Sequence, residues 1–343
     1  MRSLAAFHIA PNAPLPSTAQ DEARLKRRPT TLMVSLSNHE IAGCEPQRAR
    51  SAARFDTSEA GAPTSSSPPA VARTRPMRYR IRLKGWSGMH VFRSDDVDIA
   101  YLDHPPTGKD RGEPMLLIHG FASSFATNWG FPSWTRTLTH DGRRVVGFDN
   151  RGHGKSGKPH DPAAYDTRIL AEDALRLLDH LRIERADVMG YSMGARISAF
   201  LTLAHPDRVR SVVFGGLGAH LVEGVGLPAG IADAMEAPSL DVLTDPTDRM
   251  FRAFAEQGKN DLVALAACIR GTRQTLSVEE VGRIRRPAMV AIGTKDHIAG
   301  DAKALAAMLP EGRAFEIPDR DHNTAVGDKQ YKAAVLAFLE DRA

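Results

Sequence analysis

DVMGYSMGARIS, residues Asp187–Ser198, sets one serine between two glycines, Gly190 and Gly194, directly after a short apolar run. The stretch reads as a strand that ends at Ser192 and turns at once into a helix. A serine at the tip of so sharp a turn needs neighbours two residues away without side chains, and glycine stands at both places. The helix that follows would aim its N-terminus, and the N–H of Met193, at charge developing beside Ser192. The alternative is a plain helix N-cap serine. The remaining chain decides between them, because a nucleophile needs a base, an acid and an oxyanion site.

Outward from this stretch, strands alternate with helices. YRIRL (79–83) and MHVFRSDDVDIAYLD (89–103) alternate as half-buried strands do. MLLIH (115–119) and RRVVGFD (143–149) are continuous apolar runs, the pattern of strands covered on both faces. Residues 166–183 carry Ile169, Leu170, Leu177, Leu178 and Leu181 at helical spacing, and 193–206 form a helix that Pro206 stops. VRSVVFGG (209–216), PAMVAIG (287–293) and RAFEIP (313–318) are further strands, and 328–342 is a closing amphipathic helix. This alternation predicts an α/β fold, a mostly parallel doubly wound sheet with helices on both faces. Residues 217–286 break the rhythm with helical pieces alone, which predicts a small helical cap inserted between core strands.

The chain has 343 residues and a net charge of +4, and residues 1–76 carry all of that excess, with ten Lys/Arg against six Asp/Glu. The rest carries 35 of each sign, so nothing points to nucleic acid as a partner. Residues 1–76 also hold nine of the 22 prolines and little apolar periodicity. They read as a disordered extension, or as a stretch upstream of a true start at Met77, and the folded domain is expected over 77–343. Leu4–Ala10 is too short and too interrupted for an export signal, and no run is long enough for a membrane span. Cys44 and Cys268 make an unpromising disulfide, in keeping with a reducing compartment. A cytoplasmic protein is expected, with no membrane partner.

The base has to follow the serine along the chain. His322 lies in EIPDRDHNT, after the last strand and before the closing helix, at the strand edge where Ser192 must sit. His119 ends a strand and reads as a loop brace. Asp296 follows PAMVAIGTK, so Ser192, Asp296 and His322 fall in the order Ser…Asp…His. Asp301 reads as a helix N-cap, and Asp319 and Asp321 stand too close to His322. HGFASS (119–124) follows a buried strand, and its Phe121 N–H pairs with that of Met193 as the expected oxyanion hole.

Together, His119-Gly120-Phe121, GFDNRGHGKS (147–156), GYSMG (190–194), GTKDHI (293–298) and DRDHN (319–323) resemble the α/β-hydrolase fold family over about 77–343. The resemblance implies that Asp149–Ser156 is a structural loop. It also marks one departure, Asp321 where the family usually has glycine before the histidine.

A serine nucleophile, rather than aspartate, points away from relatives of the haloalkane dehalogenase and epoxide hydrolase kind and toward acyl transfer to water without metal or organic cofactor. The expected substrate is a small to medium apolar carboxylic ester or lactone. Resemblance to enol-lactonases and cofactor-free perhydrolases leaves lactone hydrolysis and peracid formation open, as well as carbon–carbon bond hydrolysis and, more remotely, a non-catalytic ligand-binding member. Phe125, Trp129 and Tyr191 are expected to wall the pocket; for Phe125 and Trp129, packing beneath the next helix is the competing expectation.

Overall fold

The computed structural model of the chain describes residues 88–224, 228 and 230–342. The expected extension 1–76 and the strand expected at 79–83 lie outside those residues.

A hairpin opens the described chain. Strands β1 (His90–Ser94) and β2 (Val97–His104) turn through Asp95 and Asp96 and pair antiparallel. Strands β3 (Met115–Ile118), β4 (Val145–Phe148), β5 (Ala186–Tyr191), β6 (Val209–Gly215), β7 (Ala288–Gly293) and β8 (Gly312–Ile317) complete an eight-stranded sheet in the order β1-β2-β4-β3-β5-β6-β7-β8. β2 meets β4 antiparallel, and all later pairings are parallel. The mostly parallel sheet therefore stands as expected.

Two cores follow from strand geometry. Successive side chains leave a strand on opposite faces. Leu116 and Ile118 of β3, Val146 and Phe148 of β4 and Val188 of β5 enter one core. Met115, Leu117, Val145 and Met189 enter the other. Every residue of β3, β4, β5 and β7 is buried, which is why β3 and β4 read as continuous apolar runs, while β5 buries one charge, Asp187.

Helices α1 (Trp134–His140), α2 (Thr167–His180) and α3 (Met193–Ala204) connect the first parallel strands. Between β6 and β7 lie α4 (His220–Glu223), α5 (Gly230–Glu236), α6 (Pro246–Gln257), α7 (Leu262–Gly271) and α8 (Val278–Val281), the helical insertion foreseen at 217–286. Helices α9 (Ala302–Met308) and α10 (Lys329–Asp341) finish the chain. The N-caps follow local chemistry: Asp166, Asp245, Asp261, Asp301 and Asp328 each accept first-turn N–H groups of the helix they precede.

One buried charge pair ties this frame together. Arg151, in the loop after β4, meets Asp173 of α2 through Nε and Nη2, both at 2.7 Å, and both side chains are almost fully buried. Ser94 of β1 donates a further hydrogen bond to Asp173. Asp173 thus stands on the helix's apolar side because a guanidinium fills the space opposite it.

Candidate active site

The elbow is sterically forced. Ser192 has φ 55° and ψ −116°, a conformation that costs a non-glycine residue energy. A β-carbon at Gly194 would stand 2.0 Å from the Ile118 carbonyl oxygen, and one at Gly190 would stand 2.1 Å from the Gly194 carbonyl oxygen. No larger residue fits either place, so the two glycines are what allow β5 to turn directly into α3. The Ser192 N–H donates to the Gly215 carbonyl at 2.7 Å, while Ala195 and Arg196 N–H groups begin the helix on the Ser192 carbonyl. Met193, the first residue of α3, has no intrahelical acceptor for its N–H.

Asp296 and His322 meet across 26 residues of sequence. Nδ1 of His322 donates to Oδ2 of Asp296 at 2.7 Å. The other oxygen, Oδ1, accepts from the N–H groups of Ile298 at 2.9 Å and Ala299 at 3.1 Å. The Asp296 side chain is wholly buried, so three donors hold its negative charge in one orientation. With Nδ1 committed, Nε2 of the neutral imidazole is left as the acceptor. Tyr191, next to the serine, donates from its hydroxyl to the His322 carbonyl at 2.6 Å, and the two rings lie 5.4 Å apart. The phenol thereby fastens the histidine loop to the elbow. Burial pushes the Tyr191 hydroxyl pKa well above its usual value, with the charges of Asp296 and Asp321 acting in the same direction, and keeps it a donor.

Asp321 serves its own turn. Its carboxylate accepts from Asn323 N–H at 3.0 Å and from both the N–H and the hydroxyl of Thr324 at 2.8 Å. Partial burial opposes its ionisation, but these donors hold its carboxyl below the usual range. Asp301 caps α9, as expected.

The loop after β3 is tightly braced. Gly120 N–H donates to Asn128 Oδ1 at 3.0 Å, and the Gly120 carbonyl accepts from His119 Nδ1 at 2.8 Å and Ser123 N–H at 3.3 Å. His119 Nε2 accepts from Asn150 N–H at 2.9 Å, which requires a neutral imidazole. The Cβ position of Gly120 lies 3.4 Å from Ser192 Cβ, so this loop passes directly beside Ser192. Asn128 has no sequence signature; its role depends on a π turn over Ala126–Gly130 that carries it back to Gly120.

Two of the three expected pocket residues are elsewhere. Phe125 is fully buried with its ring against the backbone of Gly147, where a β-carbon would meet its Cε2 at 2.4 Å. Trp129 is fully buried edge-on to Trp134 at 6.2 Å. Both belong to the core shared with Leu138 of α1 and Phe338 of α10, so packing beneath the helices replaces the pocket assignment. Tyr191 is buried in the same core and reaches the site through its hydroxyl. From the cap, Phe251 of α6 comes to 6.1 Å of the Phe121 ring, and the Cys268 thiol of α7 lies 3.7 Å from the Met193 sulfur.

Two histidines beside this site predict an acid weakness. Burial lowers the pKa of His119 to about 4 and that of His153 to about 3. In the unfolded chain both titrate near the ordinary value, about 6.5. The unfolded state therefore binds more protons below neutrality, and stability is full above pH 6.5 and falls as pH drops toward 4. Each imidazole removes about 2 kcal/mol between pH 7.5 and 5. Urea unfolding at the two pH values measures the loss; equal midpoints would contradict it.

The family model of the α/β-hydrolase fold matches residues 113–248. The chain is 36% identical over 240 residues to 2-hydroxymuconate semialdehyde hydrolase of Pseudomonas putida, covering 68% of this chain and 73% of the relative. The chain belongs to the α/β-hydrolase family. It is also 26% identical over 275 residues to 3-oxoadipate enol-lactonase 2 of Acinetobacter baylyi, covering 74% of this α/β-hydrolase and 99% of the relative. Among solved structures, a hydrolase from Pseudomonas aeruginosa matches with a TM-score of 0.59 and 25% identity, covering 74% of this chain and 99% of that one. In other curated relatives the chain spans a smaller share of their length, 65%, 36% and 35% in three of them. No helix among the described residues is long and apolar enough to cross a membrane.

Proposed function

We propose that this α/β-hydrolase cleaves a small to medium apolar carboxylic ester or lactone through an acyl-enzyme on Ser192. The observation that carries the reading is the Asp296–His322 pair at 2.7 Å, fastened by the Tyr191 hydroxyl to the residue before the serine. His322 Nε2 takes the proton of Ser192 as Oγ attacks the carbonyl carbon. The tetrahedral oxyanion is held by the N–H groups of Phe121 and Met193. Collapse breaks the ester C–O bond, and the imidazolium returns its proton to the leaving alkoxide. Water, deprotonated by the same imidazole, then releases the acid and frees Ser192. Asp296 keeps Nδ1 protonated and stabilises the imidazolium throughout.

A second reading is hydrolysis of a carbon–carbon bond, favoured by the 36% identity to a 2-hydroxymuconate semialdehyde hydrolase. A turnover panel separates the two: short p-nitrophenyl esters, an aliphatic lactone and a vinylogous 1,5-diketone. Preference for the ester and lactone by at least tenfold in kcat/KM is expected, and preference for the diketone would replace the first reading with the second.

A further inference from the structure

The cap reaches the loop beside Ser192 through a defined hydrogen bond. Asn260, in the turn between α6 and α7, donates from Nδ2 to the Ala122 carbonyl at 3.0 Å, across 138 residues of sequence. Ala122 sits at φ 55°, so the loop is held in a conformation that it does not favour by itself. The acceptor is also one end of a chain of peptides. The Ala122 carbonyl and the Ser123 N–H belong to one peptide unit, and that N–H donates to the Gly120 carbonyl at 3.3 Å. The Gly120 carbonyl in turn shares a peptide unit with the Phe121 N–H. From Asn260, two aligned peptide dipoles therefore run to the Phe121 N–H, each hydrogen bond polarising the next donor.

We propose that Asn260 is a positioning residue for the oxyanion hole: its amide fixes and polarises the peptide chain that ends in the Phe121 N–H, so the seating of the cap sets the strength of that donor. The inference rests on the reading of Phe121 N–H as an oxyanion donor. Asn260 is only partly buried and stands, with Ala122, Ser123, Lys155, Phe254 and Lys259, on the wall of an open cleft of about 730 Å³. Water reaches this wall, so the bond holds only while the α6–α7 corner is seated. A second acceptor for the same amide, the Ala255 carbonyl at 3.2 Å, keeps Asn260 on the corner itself.

The test compares the full chain with N260A and N260D, the latter matching asparagine in shape but unable to donate, and with K259A as a neighbour outside the relay. Three quantities are measured: kcat and KM on p-nitrophenyl butyrate, inhibition by an aryl trifluoromethyl ketone, whose hemiketal oxyanion occupies the hole, and melting temperature. Both Asn260 variants are expected to lose about fivefold in kcat with KM nearly unchanged, and to bind the ketone about fivefold more weakly. Melting temperature falls by no more than a few degrees, as the loss of two partly exposed hydrogen bonds requires, and K259A turnover stays at the parent value. Turnover and ketone inhibition within twofold of the parent in both variants would overturn the relay. So would a fall in kcat that tracks a fall in melting temperature while ketone affinity is kept. A failure of the underlying reading looks different, since it would appear as ester turnover surviving Ser192→Ala.

Discussion

Ser192→Ala is expected to lower ester turnover by roughly 10⁴-fold or more while leaving the melting temperature unchanged or slightly raised. On the proposed reading Ser192 supplies the attacking oxygen, and alanine at the turn between β5 and α3 removes it. The small stability change follows from backbone geometry: alanine at φ 55° is strained about as serine is, and the Ser192 side chain makes no cap hydrogen bond that its loss would remove. Residual catalysis by the oxyanion groups and binding alone sets the floor. Circular dichroism and a thermal melt establish that the variant is folded, and p-nitrophenyl butyrate hydrolysis reads the loss. Turnover within tenfold of the parent in a folded variant would exclude Ser192 as nucleophile.

Asp173→Ala is expected to cost about 3–5 kcal/mol of stability. The reason is the partner left behind. Arg151 is buried, and two of its three nitrogens face Asp173, so the variant strands a cation away from water. The exposed pair Arg93–Asp98, with side chains 58% and 64% accessible, makes the contrast: Asp98→Ala should change stability by no more than about 0.5 kcal/mol. Urea midpoints of the two variants measure the difference directly. Equal midpoints would mean that the Arg151–Asp173 pair is not what joins α2 to the loop after β4.

The strands could be read from the sequence because burial on both faces favours apolar residues and admits a polar one only where a partner meets it. MLLI carries that constraint on every position, and ADVMGY on all but Asp187, whose buried carboxylate is met by Arg210, Arg342 and Ser211. The placement of the candidate residues Ser192, Asp296 and His322 was legible for a related reason: each follows a recognisable strand, and strand ends in a parallel sheet gather at one edge. The bond between Asp296 and His322 was not itself visible, only the order in which a sheet would bring them together.

Aromatic residues were harder. Phe125 and Trp129 have the composition of a pocket wall and of a core alike. Trp129 lies within the π turn at Ala126–Gly130, which no local pattern announces, and Phe125 immediately precedes it; the two pack inward against Trp134 and Gly147. Contacts such as Asn260 to Ala122 and Tyr191 to His322 join residues more than a hundred positions apart. Polar residues of these types are common on turns and strands, and nothing in their neighbours reveals the distant carbonyl that they meet.

The central claim is that Ser192, driven by His322 and Asp296, is the group that attacks the substrate. Intact-mass measurement after exposure to a fluorophosphonate, followed by peptide mapping, tests it most directly. The account predicts one adduct per chain, located on Ser192, forming in step with the loss of ester turnover and slowed at least a hundredfold in His322→Ala. Enzyme that is fully inhibited yet carries the adduct on another residue, or that hydrolyses esters while Ser192 stays unlabelled at saturating probe, would contradict it.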